Sequence, residues 1–312
     1  VVSVQRLVDY LLEHRDTLNV KIVEDKDVLL VDAGVYVKPG FLVGKYLSEI
    51  SMCGLAEVQV QLEKIGELTL PKVRVSTDYP QITLLSQYAA WVVRDGDNVL
   101  YLSGPGRIVA RKPKRVFEDL ASQGVAIPDI VEPVLVCECN VIPSRAAVEN
   151  IVSSLKSSRQ PVILLTSNMS YAGVVQTCAR VIEVCMLRLY QLKFNIACVK
   201  SSLGCTAIPP ASGNLLETSA LCNDSILYTG QVLLLVDLDN LALYDNVFRK
   251  TVRESNYSFL SYVRMYGEEF LVKIDPDMFR IAELTVLSTC GSFRKYGIAD
   301  ISSFLRLTLG SR

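Results

Sequence analysis

The chain has 312 residues, half of them hydrophobic, and 32 Lys and Arg against 33 Asp and Glu give a formal net charge of −1. That length holds one large domain or two smaller ones around a sizeable core. The charge balance, and the lack of a basic block interleaved with aromatics, exclude a nucleic-acid surface, and no apolar stretch reaches the ~18 residues that a membrane span needs.

Residues 1–13 read as an amphipathic helix capped by Ser3, with Val4, Leu7, Val8, Leu11 and Leu12 inward, and not as a charged and then apolar leader. A soluble, cytoplasmic protein without a membrane partner is the expectation. Residues 20–23 and 28–31 flank Glu24-Asp25-Lys26-Asp27 as a hairpin, and 41–50 reads as a helix. Residues 55–62 alternate strictly, and Val73 and Val75 continue a strand pattern. A helix is expected over 79–90, then a hairpin of 92–93 with 99–102 around Asp95-Gly96-Asp97.

The second half alternates more regularly: a strand at 134–137, a helix at 144–155, a strand at 162–166 and one long helix over 171–192. Strands follow at 194–199 and, as a long apolar run, 226–236. Helices at 241–254 and 258–264, strands at 270–274 and 284–287 and a helix at 298–309 close the chain. This pattern predicts an α+β fold of two lobes, approximately 1–130 and 131–312, either sequential or interleaved, with 128–133 as the turn between halves.

Nine cysteines, odd in number and without a CxxC pair, sit mostly among Val, Leu and Ile and read as small hydrophobes. With His14 as the sole histidine, a zinc site or a Cys/His or Ser/His catalytic pair is poorly supported.

Four clusters can carry chemistry. Ser103-Gly104-Pro105-Gly106-Arg107, with Lys112 nearby, follows a strand; it reads as a turn or as a cradle for an anion, with Arg as a bidentate fork. Thr166, Ser167, Asn168, Ser170 and Gly173 form a polar loop entering a helix, where free N–H groups favour polar ligands, or where Ser170 simply caps the helix. Arg180 and Glu183 lie three apart in an otherwise apolar segment, as a structural bridge or as a reacting pair. Asn223-Asp224 precedes the long apolar run and alone suggests a turn.

In order and spacing these pieces resemble the methenyltetrahydromethanopterin cyclohydrolase family over nearly the whole chain. The signposts are Asp32-x-Gly34, Gly54-Leu55-Ala56, Thr77-x-x-Pro80, Gln87-x-Ala89-x-Trp91, Ser103-Gly104-Pro105-x-Arg107 with Lys112-Pro113, and Glu138 at a strand end. Ser170-x-x-Gly173-x-x-Gln176-x-x-x-Arg180-x-x-Glu183, Asn223-Asp224 with Gly230, and Met278-Phe279 follow. The resemblance implies two α+β lobes with a ligand pocket in the cleft between them, assembled as a homotrimer in an archaeal type of cytoplasm. It implies reversible hydrolysis of the methenyl bridge of a reduced pterin to the 5-formyl compound in one-carbon metabolism, without a metal or redox cofactor. Arg180 and Glu183 correspond to the catalytic pair, Glu183 as base and then acid, oriented by Arg180. Ser103, Gly104, Pro105, Glu138, Asn168, Ser170, Gln176, Asn223 and Asp224 are the substrate-binding candidates, with Arg107 or Lys112 for the coenzyme's phosphate-bearing tail.

The chain departs from the family pattern at Tyr79 (His), Ala90 (Gly), Ser167-Asn168-Met169-Ser170 (Pro-Thr-x-Ser), Ala179 (Gly), Ala220-Leu221-Cys222 (Gly-Arg-Thr) and Asn256-Tyr257-Ser258 (Asp-Tyr-Gly). Each lost Gly removes a place for close backbone approach. The alternative reading is a paralogue that binds a reduced pterin or another cyclic amidine without this turnover.

Overall fold

The structure, a computed structural model, describes residues 2–65, 68–88, 91–254, 257–269 and 273–309. The chain forms two compact α+β units, one of Val1–Glu57 with Gln81–Gln176 and the other of Val58–Pro80 with Thr177–Arg312. The division falls inside the segment 171–178, and the proline-flanked stretch 128–133 lies within the first unit.

In chain order the strands are β1 Lys21–Asp25, β2 Leu29–Asp32, β3 Ala56–Ile65, β4 Leu68–Thr77, β5 Val92–Asp95, β6 Asn98–Ser103, β7 Val134–Glu138, β8 Val162–Thr166, β9 Val199–Ala207, β10 Gln231–Val236, β11 Glu283–Ser288 and β12 Phe293–Gly297. The first unit's sheet runs β1-β2-β8-β7-β6-β5 and the second's β12-β11-β10-β9-β4-β3.

At the centre of the first sheet β2, β8 and β7 are parallel. Parallel strands covered on both faces read as unbroken apolar runs, and β2 and β8 are buried at every residue. Val31, Val134, Val136 and Leu164 face the helices Val4–Glu13 and Phe41–Ser51, which contribute Leu7, Leu11, Val43 and Leu47. Leu30, Leu135, Cys137 and Ile163 face the other way, against Val148 and Ile151 of the helix Arg145–Leu155.

The second sheet behaves differently. β10 and β11 alternate strictly between buried and half-buried positions, the signature of a sheet with one well-covered face. Helix Val181–Gln191 packs on β9, where a Cβ at Gly204 would come within 2.8 Å of Ile182 and Val181. The other face carries the register-paired rows Leu203 with Leu233 and Leu235 with Leu287 and Phe293, of which Leu203 and Phe293 are more than half exposed.

Several elements differ from expectation. The segment 171–192 is two helices, Tyr171–Cys178 and Val181–Gln191, with Arg180 (φ −76°, ψ 8°) at the second N-cap. Arg180 N donates to Thr177 O, closing a tighter turn than an α-helix allows; no Pro or Gly marks the break in the sequence. The apolar run 226–236 is the end of the helix Leu215–Thr229 and then β10, because an apolar run does not by itself distinguish helix from strand. Residues 196–198 are a 3-10 turn, and β9 starts only at Val199. The stretch 241–254 holds a 3-10 turn and the short helix Asp245–Arg249. Of the strand expected at 270–274, residues 270–272 lie outside the described residues, as do Ala89, Ala90 and Asn256.

Candidate active site

In the first unit Asp32, Glu138 and Thr166 are the last residues of the parallel strands β2, β7 and β8. Carboxyl ends of parallel strands are where open α/β sheets bind ligands. Asp32 organises the loop that follows it: its carboxylate accepts from the backbone N–H groups of Gly34, Val35, Tyr36 and Val37. Asn168 Nδ2 donates to Glu138 Oε1 at 3.3 Å. Burial, and second the neighbouring Glu138 carboxylate, hold the Tyr101 phenol above its ordinary range.

The loop 166–170 enters the helix Tyr171–Cys178 through Ser170, whose Oγ accepts from Gly173 N at 3.2 Å and donates to Ser167 O at 3.0 Å. Ser170 is therefore a cap, committed to backbone. Gly173 explains its place in the motif: a Cβ there would lie 2.1 Å from Ser167 O, so the helix start and the loop touch only because the side chain is missing.

Glu183, in the second unit, sits in the first turn of the helix Val181–Gln191, where the helix dipole favours an acidic side chain. Its side chain is 0 % exposed, against 20 % for Arg180. Arg180 donates to Glu183 Oε2 from Nη2 at 2.9 Å and from Nε at 3.2 Å. Glu183 Oε1 is buried and has no hydrogen-bond partner among the described residues. Thr166 Oγ1, Gln176 Oε1 and Gln87 Oε1 of the first unit share that condition. A buried polar atom left unpaired costs about 1–3 kcal/mol, so Glu183 Oε1 in the second unit, and separately Thr166 Oγ1, Gln176 Oε1 and Gln87 Oε1 in the first, are candidates for polar contact. Gln87 was missing from the sequence-derived candidates, although it stands in the run Gln87-x-Ala89-x-Trp91 that carried the resemblance.

Other candidates take different positions. Pro105 opens a short helix, Pro105–Ala110, with Gly104 (φ 103°) at its N-cap. Ser103 Oγ donates to Val136 O across the sheet. Arg107 is 0 % exposed and donates to the carbonyls of Tyr88 and Lys112, and Lys112 Nζ donates to Ser154 Oγ and lies 4.8 Å above the Trp91 ring. Both cations are engaged within their own unit, Arg107 fully buried and Lys112 partly so. Asn223 and Asp224 lie within the helix Leu215–Thr229 and make no turn. Asn223 Nδ2 bonds Ser219 O. Asp224 accepts from Phe259 N at 2.6 Å and Leu260 N at 2.9 Å, capping the helix Phe259–Tyr266. Burial pushes the Asp224 carboxyl up to about 7, against the pull of those two N–H groups.

Among the described residues no group of three or more His, Cys, Asp or Glu is placed to hold a metal ion, and no described helix is long and apolar enough to cross a membrane.

A buried carboxylate held by a part-buried Arg in an α+β chain is a candidate acid-base pair, and the sequence places the chain more narrowly. It matches the family Cyclohydrolase (MCH) over residues 2–303 and belongs to that family. It is 30% identical to a methenyltetrahydromethanopterin cyclohydrolase of Methanococcoides burtonii over 288 residues, covering 90% of this chain and 88% of the relative. The protein of the same name from Methanospirillum hungatei is 27% identical over 293 residues (89% and 88% of the two chains), and that of Methanosarcina mazei 27% over 297 residues (92% and 91%).

Proposed function

We propose that this chain hydrolyses 5,10-methenyltetrahydromethanopterin reversibly to the 5-formyl compound, with Glu183 as the general base and acid and Arg180 as the residue that orients it. The observation that carries this reading is the buried Glu183 carboxylate, held by Arg180 through Oε2 and, among the described residues, unpaired at Oε1. The names of the relatives support the substrate.

The chemistry follows from the charge of the substrate. The methenyl carbon is an amidinium-like electrophile. Water attacks it as Glu183 Oε1 takes one of its protons, which forms the C–O bond. The protonated Glu183 then gives that proton to the departing ring nitrogen as the C–N bond breaks. The remaining hydroxyl proton leaves to solvent, and the carbon stays on the other nitrogen as a formyl group. Arg180 fixes the carboxylate geometry and balances its charge when it is ionised. Thr166, Gln176 and Gln87 supply unpaired acceptors, and Asn168 with Glu138 a further polar pair, suited to the donors of a pterin ring. No substrate contact is proposed for Asp224, Arg107 or Lys112, whose polar groups already serve the fold.

By the same resemblance we propose a cytoplasmic homotrimer that works without a metal or redox cofactor. The half-exposed apolar rows of the second sheet (Leu203, Leu233, Leu235, Leu287, Phe293) support a subunit contact there. Light scattering on the purified chain reads the mass directly.

The activity is tested by adding the purified chain to methenyltetrahydromethanopterin and following its absorbance band. Enzyme-dependent loss of the band, with the 5-formyl product recovered, is the expected result. Saturable binding of the pterin with no loss of the band would overturn the reading in favour of a binding paralogue.

A further inference from the structure

A cavity of about 640 Å³ opens in the first unit between the segments 108–117, 127–131 and 156–159. Its walls are of two kinds. Phe117, Ile127 and Ile130 give an apolar floor, and Arg111, Lys156 and Arg159 bring three cations to it against the single carboxylate of Asp129. Among the described residues none of these three cations has an ion-pair partner, whereas their sequence neighbours Lys114, Arg115 and Arg145 are each paired at i,i+4. Arg111 and Lys156 end the helices Pro105–Ala110 and Arg145–Leu155 in the left-handed conformation, φ 49° and 45°, at positions that ordinarily favour Gly or Asn. A cation at a helix C-terminus is favourable in itself. Arg159 stands at no helix end, so that argument does not account for it.

The cavity is separate from the carboxyl-end loops of the same unit. Residues 127–131 lead into β7 and 156–159 into β8, so it lies at the amino ends of strands whose far ends are Glu138 and Thr166. A five-residue strand puts about 13 Å between its ends.

We propose that this cavity is a second ligand site, for a phosphomonoester with a flat apolar body. Two positive charges in excess match a phosphate dianion. Two guanidinium forks suit its oxygens, Ser157 and Ser158 also line the cavity, and its apolar residues take the body of the ligand. The site is independent of the reaction proposed above.

The test is calorimetric titration of the whole chain with phenyl phosphate, beside the variant K156N/R159Q. Asn suits the left-handed backbone at 156, so the charge is removed without strain. Saturable binding is expected to the wild type and equally to Glu183→Gln, with affinity at least about tenfold weaker in K156N/R159Q. Benzoate, with the same ring and one charge, should bind at least about tenfold more weakly than phenyl phosphate. The KM for the methenyl pterin should be unchanged in the double variant. The proposal fails if the wild type shows no saturable binding, if the double variant binds as well as wild type, or if benzoate matches phenyl phosphate. It also fails if the double variant raises KM and phenyl phosphate competes with the pterin, since the cavity would then belong to the substrate's own phosphate-bearing tail.

Discussion

Arg180 holds one oxygen of the Glu183 carboxylate through two nitrogens and leaves the other oxygen, equally buried, without a partner among the described residues. A purely structural bridge in an apolar setting would be expected to satisfy both oxygens, because each unpaired buried acceptor carries a desolvation cost. The one-sided grip instead resembles a base that is oriented and available.

Removing Arg180 should therefore be worse than a surface ion pair suggests. Arg180→Ala leaves a buried carboxylate without its counter-charge, and should lose about 3–5 kcal/mol of stability. Arg180→Lys keeps the charge but cannot reproduce the Nε and Nη2 contacts, and should lose less stability while still slowing turnover. Urea midpoints for the two variants, with kcat measured on the folded protein, check both parts.

Gly173→Ala should damage the loop rather than the chemistry. The added Cβ meets the Ser167 carbonyl, so the helix start must move away from 166–170. A stability loss of about 1–3 kcal/mol is expected, with KM rising more than kcat falls if Asn168 contacts substrate. Thermal unfolding and steady-state kinetics measure these separately.

Arg107 offers a contrast. It is fully buried and serves the carbonyls of Tyr88 and Lys112, so Arg107→Met should lower the unfolding temperature with little change in KM of the folded fraction. A selective rise in KM with unchanged stability would return Arg107 to the substrate site.

Much of the fold was legible in the sequence because its signals were physical. The strict alternation of 55–62 and the turn residues of the two hairpins each point to one structure, and the apolar runs of β7 and β8 are short enough, between turn signals, to read as strands. The helix Leu215–Thr229 was not legible, since its apolar end runs into β10 through Gly230 with no change in composition. The break at Arg180 was hidden for the same reason. Of the candidate site, the Arg180–Glu183 contact follows from spacing, whereas Ser170, a cap or a ligand group in the sequence, is resolved only by its bonds to Gly173 N and Ser167 O. The fates of Arg107, Lys112 and Asp224 did not, because whether a charged side chain faces a ligand or its own backbone depends on tertiary neighbours that a single sequence does not display.

Asp224 should make stability depend on pH in an unusual direction. Burial raises its carboxyl to about 7 in the folded chain, above the ~3.9 of an unfolded Asp. Between those values the folded state binds more protons than the unfolded one, so this group's contribution falls as the pH rises through that window and is largest at its acid end. Asp224→Asn keeps an acceptor for the helix Phe259–Tyr266 and removes the titration. The unfolding free energy of wild type minus variant should shift in favour of wild type between about pH 8 and about pH 5.5; a flat difference would show that the two backbone N–H bonds keep the carboxylate ionised.

The most direct measurement is the rate of methenyl-band loss for wild type and Glu183→Gln at equal concentrations of folded protein, with circular dichroism confirming equal folding. Glutamine keeps the size and an acceptor for Arg180 but cannot take a proton from water. Turnover should drop by about 10²–10⁴-fold with the unfolding midpoint little changed. Wild-type rates in Glu183→Gln would contradict the account and leave Glu183 as a bridge partner only.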